Sequence, residues 1–140
     1  MANTVKIQVE KIGHLKLRGS NARGQAIVMD APESIGGSDD GVRPMEALLM
    51  SLAGCSSVDV LTILSKQRQV VESFKVTVEG DRVDSVPAVF EAIRIHFRAL
   101  GNVDAHKLAE AVQLSAEKYC SVSAMLEKSG IKFQWTSAVT

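Results

Sequence analysis

Aromatic side chains are scarce, at 4% of 140 residues. A core built without them must be largely aliphatic, from Leu, Val, Ile, Met and Ala. Net charge is missing too, because 16 Lys and Arg cancel 16 Asp and Glu. Such a chain has no general electrostatic attraction to phosphate backbones or anionic lipid, so nucleic acid and membrane surfaces are excluded as first expectations. There are only 2 cysteines, Cys55 and Cys120, too few and too far apart for a secreted disulfide framework. No C-x-x-C pair or Cys/His cluster suggests zinc, and a reducing compartment is expected. Met1 to Gly13 alternates polar and apolar residues around Lys6, Glu10 and Lys11, which is neither a signal-peptide core nor a transit peptide. This predicts a cytoplasmic protein. What is present is 46% hydrophobic and 23% charged residues, the profile of one globular domain over 1–140. A chain of this size buries roughly 68–70% of its unfolded surface, enough for a core without staples.

Period-two alternation over Val5, Ile7, Val9 and then Leu15, Leu17 predicts a β-hairpin with one buried face. A third short strand is expected at Gln25 to Asp30. The run Ala31 to Val42, rich in Gly and acids, reads as a mobile loop and the one candidate linker. From Pro44 to Lys66 alternation stops, and proline opens a long helix in its first turn. Ala47 to Val58 is apolar or small on nearly every side, which predicts a central buried helix, too short and too flanked by Glu46 and Asp59 to span a bilayer. Two strands over Phe74–Val78 and Ile93–Phe97 form an expected antiparallel pair. A helix is predicted from Asp104 to Lys118, then a short helix from Ser121 to Ser129 ending at Gly130, then a strand through Ile131, Phe133 and Trp135. The order β-β-β-α-β-β-α-α-β is that of an α+β domain.

Cys55 lies in the middle of the long helix among Ala53, Gly54, Ser56 and Ser57. It is either a small buried filler or a thiol that a substrate can approach closely. Cys120, in Lys118-Tyr119-Cys120-Ser121, falls at a helix start, where free amides and the macrodipole favour a thiolate. Cys120 is therefore the better candidate for a lowered pKa, and spacing alone does not bring the two thiols together.

The run Pro44-Met45-Glu46-Ala47-Leu48-Leu49-Met50 to Ala53-Gly54-Cys55, followed by Leu114-Ser115-Ala116-Glu117-Lys118-Tyr119-Cys120-Ser121-Val122, resembles the OsmC/Ohr superfamily of osmotically inducible and organic hydroperoxide resistance proteins. Val28-Met29-Asp30 and the Gly-rich loop fit as well, and the nearest resemblance is to the OsmC-like branch of the YhfA type. The resemblance implies an OsmC-like fold, an intertwined homodimer with antiparallel sheets around two central helices, and active sites at the subunit interface. It further implies that Cys55 is the peroxidatic thiol and Cys120 the resolving one. The implied reductant is a dithiol of the lipoyl type, and neither metal, flavin nor nicotinamide is needed.

The peroxidases also use an Arg and a Glu to ionise the thiol and neutralise the leaving alkoxide. Arg23, just before the third strand, is the best match for the Arg, ahead of Arg18 and Arg43; its other reading is an ordinary loop charge. The Glu departs from the pattern, since Met45 comes directly after the proline and Glu46 next. At about 100° per residue Glu46 points away from Cys55 on an ideal helix. It either faces a partner's site or is a first-turn acid complementing the helix dipole. His14, His96 and His106 share no metal-ligand spacing and read as solvated or hydrogen-bonded. Met45, Met50 and Met125 read as core fillers that could also line an apolar pocket.

Two functions are expected from these residues. One is a thiol-dependent peroxidase for organic hydroperoxides. The other is a non-enzymatic redox-sensing or ligand-binding dimer lacking the full catalytic set.

Overall fold

The computed structural model describes residues 3–140, and the chain forms two compact units, 1–48 and 49–140. The strand and helix order matches the one the alternation predicts.

The first unit is an antiparallel meander of β1 (Ile7–Lys11), β2 (Leu17–Asn21) and β3 (Ala26–Met29), with Ile7 opposite Asn21 and Leu17 opposite Met29. The expected hairpin forms, but its apolar face is open: Ile7 is 60% and Val9 49% exposed. Alternation tells which face is apolar and not what covers it.

The segment after β3 is not the mobile linker its composition suggests. Asp30, 2% exposed, accepts hydrogen bonds from the backbone N–H groups of Ala31, Ser38 and Asp40 at 2.7, 3.2 and 3.2 Å. Arg43 adds an ion pair to Asp39 at 2.8 Å, and Lys16 pairs with Asp40. Burial pushes the Asp30 carboxyl up, but the three backbone donors outweigh it and hold its pKa below the ordinary value. A depressed carboxyl pKa contributes stability above the unfolded pKa that is lost as pH falls through the folded one. Asp30→Ala is therefore expected to raise amide exchange at Ser38 and Asp40 by about tenfold near neutral pH, and the difference from wild type should shrink in acid. Site-resolved hydrogen exchange measures both effects.

Helix α1 (Pro44–Lys66) starts at the predicted proline, and its first-turn acid is engaged locally, with Glu46 accepting the Arg43 N–H at 2.8 Å. This is the return half of a capping box. The helix is not buried all round, as its composition predicts. Only Leu52, Ser56, Val60 and Leu64 are buried, one stripe at a spacing of four. Met50 (57%), Val58 (66%) and Leu61 are exposed on the rest of the surface, and Gly54 has open space where a side chain would point. Its 23 residues are also long and apolar enough to cross a membrane by length and composition, so length does not exclude a span, contrary to the expectation from sequence. Its stripe is instead built into the second unit's core. The expected core role of methionine fails at Met50 and at Met125, which is 74% exposed.

The second unit is organised around β5. Strands β4 (Val70–Arg82) and β5 (Phe90–Asn102) pair antiparallel along their whole length, and β6 (Lys132–Val139) pairs with β5 on its other side. That last pairing is parallel, a correction to a purely antiparallel sheet, because the chain crosses over through two helices before returning. As the central strand, β5 buries Ile93, Ile95, Phe97 and Ala99 on one face, and Arg94, His96 and Arg98 take the other. Arg94 grips Asp81 through two bonds of 2.8 and 2.9 Å, and His96 Nδ1 meets Thr136 Oγ1 at 2.8 Å, the hydrogen-bonded role expected of it.

Candidate active site

The helix after β5 is capped where sequence places its start, since the Asp104 side chain accepts the Lys107 N–H at 3.0 Å. Helix α2 (Ala105–Leu114) does not run on to Lys118 as the spacing predicts. At Ser115 the ladder widens into one π-helical turn, Ser115–Tyr119, closed by the Cys120 N–H donating to the Ser115 carbonyl at 2.9 Å. Such turns add one residue and re-aim the next side chains along the chain. The first of these is Cys120, extended at φ −73°, ψ 109°, which caps α3 (Ser121–Glu127).

Around the Cys120 sulfur the donors converge. The Ser123 backbone N–H donates to Sγ at 3.4 Å, which is the cap of α3 itself. Ser56 Oγ donates from the buried stripe of α1 at 3.3 Å. The Ser123 hydroxyl donates to the Cys120 backbone carbonyl at 3.1 Å, and Cys55 is among the groups that lower the Cys120 pKa. Cys120 is 2% exposed, and burial alone would push its thiol up; the donors, Ser56 foremost, outweigh it and lower the pKa from the ordinary thiol value. Both cysteines are free, Cys120 buried and Cys55 half-buried at the edge of the α1 stripe. The structure thus places the Cys120 sulfur against Ser56, the residue that follows Cys55 on α1, which spacing could not show.

Beneath them lies a second layer that sequence reasoning missed. Ser115, fully buried, donates its hydroxyl to Asp59 Oδ2 at 2.9 Å and approaches the Ser56 carbonyl at 3.5 Å. Since the Cys120 N–H is bound to the Ser115 carbonyl, this pair ties the π turn to α1. One signal was available: Ser115 sits on the same helical face as Leu108 and Ala111, a polar residue at a core position that needs a partner.

The other candidate residues lie in the first unit. Arg23 is in the β2–β3 turn, exposed, with its backbone N–H on Asn21 Oδ1 (3.0 Å) and its Nε on Gln25 Oε1 (3.2 Å). Glu46 is exposed and bonded to the Arg43 amide. A groove of about 600 Å³ beside α2 and β6, with Phe133 and Trp135 in its wall, includes neither cysteine. Nor does one of about 430 Å³ lined by Ile63 and Leu114.

Comparison with known proteins agrees with this architecture. The model of the OsmC-like protein family matches residues 37–136, which include both cysteines. Protein YhfA of Escherichia coli K12 is 39% identical over 125 residues, covering 89% of this chain and 90% of the relative. A crystal structure of an Aquifex aeolicus VF5 protein superposes with a TM-score of 0.87 at 34% identity, covering 99% of this chain and 98% of that one. The structure of an organic hydroperoxide resistance protein OsmC from Legionella pneumophila shares the fold, at a TM-score of 0.73 and 15% identity, over 99% of each chain. With Cys55 on α1, Cys120 capping α3, two three-stranded sheets and these relatives in agreement, the chain belongs to the OsmC-like family, in its YhfA-type branch.

Proposed function

We propose that this chain is a thiol-dependent peroxidase acting on organic hydroperoxides, with Cys55 as the attacking thiol and Cys120 as the resolving one. The single observation that carries the reading is the approach of the Cys120 sulfur to α1 at Ser56, the residue next to Cys55, with Ser56 Oγ at 3.3 Å and the Ser123 N–H at 3.4 Å donating to it. The name of the Legionella relative, organic hydroperoxide resistance protein, agrees with it. Cys55 attacks the terminal peroxide oxygen, the O–O bond breaks, the alkoxide leaves and is protonated to the alcohol, and Cys55 is left as a sulfenic acid. The Cys120 thiolate then attacks the Cys55 sulfur, hydroxide departs, and a disulfide forms. A lipoyl-type dithiol reduces it through exchange. Arg23 and Glu46 are the proposed charge-handling pair.

The working unit is a cytoplasmic homodimer in this reading. The exposed apolar stripe of α1 through Met50, Val58 and Leu61, with Gly54 open between them, supports a second copy packing there. A second reading, a non-enzymatic redox-sensing dimer, is favoured by one observation: Glu46 is already engaged by the Arg43 amide, and Met45 carries no acid.

The test is consumption of cumene or tert-butyl hydroperoxide with dihydrolipoamide as reductant. Cys55→Ser is expected to fall to the uncatalysed rate. If wild type is no faster than Cys55→Ser, the peroxidase reading is wrong and the sensing reading replaces it.

A further inference from the structure

The closure step requires a charged Cys120 sulfur, because the thiolate is the nucleophile in disulfide formation. Of the groups around that sulfur, two belong to α3 itself: the Ser123 amide donates to it at 3.4 Å and the Ser123 hydroxyl to the Cys120 carbonyl at 3.1 Å. These move with Cys120. The Ser56 hydroxyl does not: it comes from α1, next in sequence to Cys55, fully buried, and reaches Sγ at 3.3 Å. It is thus the one hydroxyl donor here that both stabilises the sulfur and fixes its place relative to Cys55. Its own position is secured, since Ser115 bonds Asp59, three residues further along α1, and holds the Cys120 amide through its carbonyl.

We propose that Ser56 is a positioning residue for disulfide closure, its hydroxyl holding the Cys120 sulfur in charged form beside Cys55. This rests on the peroxidase reading for its role in turnover, and not for its effect on the sulfur. In the closure step the Cys120 thiolate supplies the electron pair of the new S–S bond, the Cys55 S–O bond breaks, and hydroxide leaves to be protonated by solvent. Ser56 is neither oxidised nor deprotonated; it gives up a hydrogen bond to sulfur as the charge is spent. A charge-assisted bond strengthens when its acceptor is ionised, so its loss should show in the ionisation of Cys120.

Two measurements on the full chain test this. In a Cys55→Ser background, thiolate absorbance against pH reports Cys120 alone, and adding Ser56→Ala is expected to move its midpoint upward by about one pH unit, a tenfold change in ionisation. Serine to alanine removes one buried oxygen and favours helix, so the variant is expected to fold, which thermal unfolding checks. In the background that keeps Cys55, dimedone trapping after a tert-butyl hydroperoxide pulse is expected to find the Ser56→Ala sulfenic acid about tenfold longer-lived at pH 6–7 than in wild type, the gap closing near pH 10. A merely structural effect would slow closure equally at every pH. An unmoved Cys120 midpoint overturns the proposal. A shifted midpoint with no hydroperoxide consumption by wild type overturns the peroxidase reading alone and leaves the hold of Ser56 on Cys120 standing.

Discussion

Exchanging Phe97 for alanine is expected to destabilise the second unit by about 3–5 kcal/mol, a large part of the roughly 5–15 kcal/mol that a domain has. Phe97 is fully buried on the central strand, with its ring 6.1 Å from Phe74 and 6.0 Å from Trp135. Trp135 in turn stacks on Phe133 at 5.9 Å. The chain has 4 Phe, 1 Trp and 1 Tyr, and this one cluster holds Phe74, Phe97, Phe133 and Trp135. The aliphatic side chains around it are too short to refill a cavity of that size, so collapse after truncation is limited. Denaturant unfolding followed by Trp135 fluorescence measures the loss, and the conservative change Ile95→Val should cost only about 0.5–1.5 kcal/mol by the same assay. A cost for Phe97→Ala no greater than that of Ile95→Val would mean that the cluster relaxes around the gap and that the aliphatic layer carries the core.

The parts of this structure that were legible in the sequence are those governed by local chemistry. Pro44 opens α1, Asp104 caps α2, and the alternation of Ile93, Ile95 and Phe97 marks the buried face of β5. The residues flanking Cys120 mark a helix start, and that is where it stands. What was not legible depends on partners distant along the chain or on groups that every residue carries. Ala31 to Val42 looks like a loose acidic loop because the groups in it that bind Asp30 are plain backbone amides, which no side-chain pattern reveals. The composition of α1 suggests burial on all sides, but composition records how apolar a surface is and not which part of it one chain can cover. The π turn leaves the apolar spacing of α2 nearly intact while displacing Cys120, so periodicity runs through it unbroken. Cys55 and Cys120 each carry a local signal, and the approach of the Cys120 sulfur to the residue beside Cys55 is a tertiary fact. The same holds for Ser56, whose type fits any helix interior and whose role appears only with the sulfur facing it.

Exchanging Cys120 for serine is expected to lower sustained hydroperoxide turnover by about two orders of magnitude while leaving Cys55 able to react once. Without the buried thiolate the sulfenic acid on Cys55 has no internal trap, and excess hydroperoxide drives it to sulfinic acid, which a dithiol does not reduce. Peptide mass spectrometry should find that product on Cys55 in the variant and a Cys55–Cys120 disulfide in wild type. The same residue gives a signed stability effect. Because the folded Cys120 pKa lies below the ordinary thiol value, its thiolate contributes stability that is fully present above the unfolded thiol pKa and fades as pH falls through the folded one. The unfolding free energy lost in Cys120→Ala should therefore be larger at pH 9 than at pH 5, where only the lost packing and cap remain. A loss independent of pH would mean that the sulfur is neutral in the folded state and that its donors serve only the cap of α3. Closure would then have to wait for ionisation during each cycle, and turnover would track the titration of an ordinary thiol instead of one shifted to lower pH.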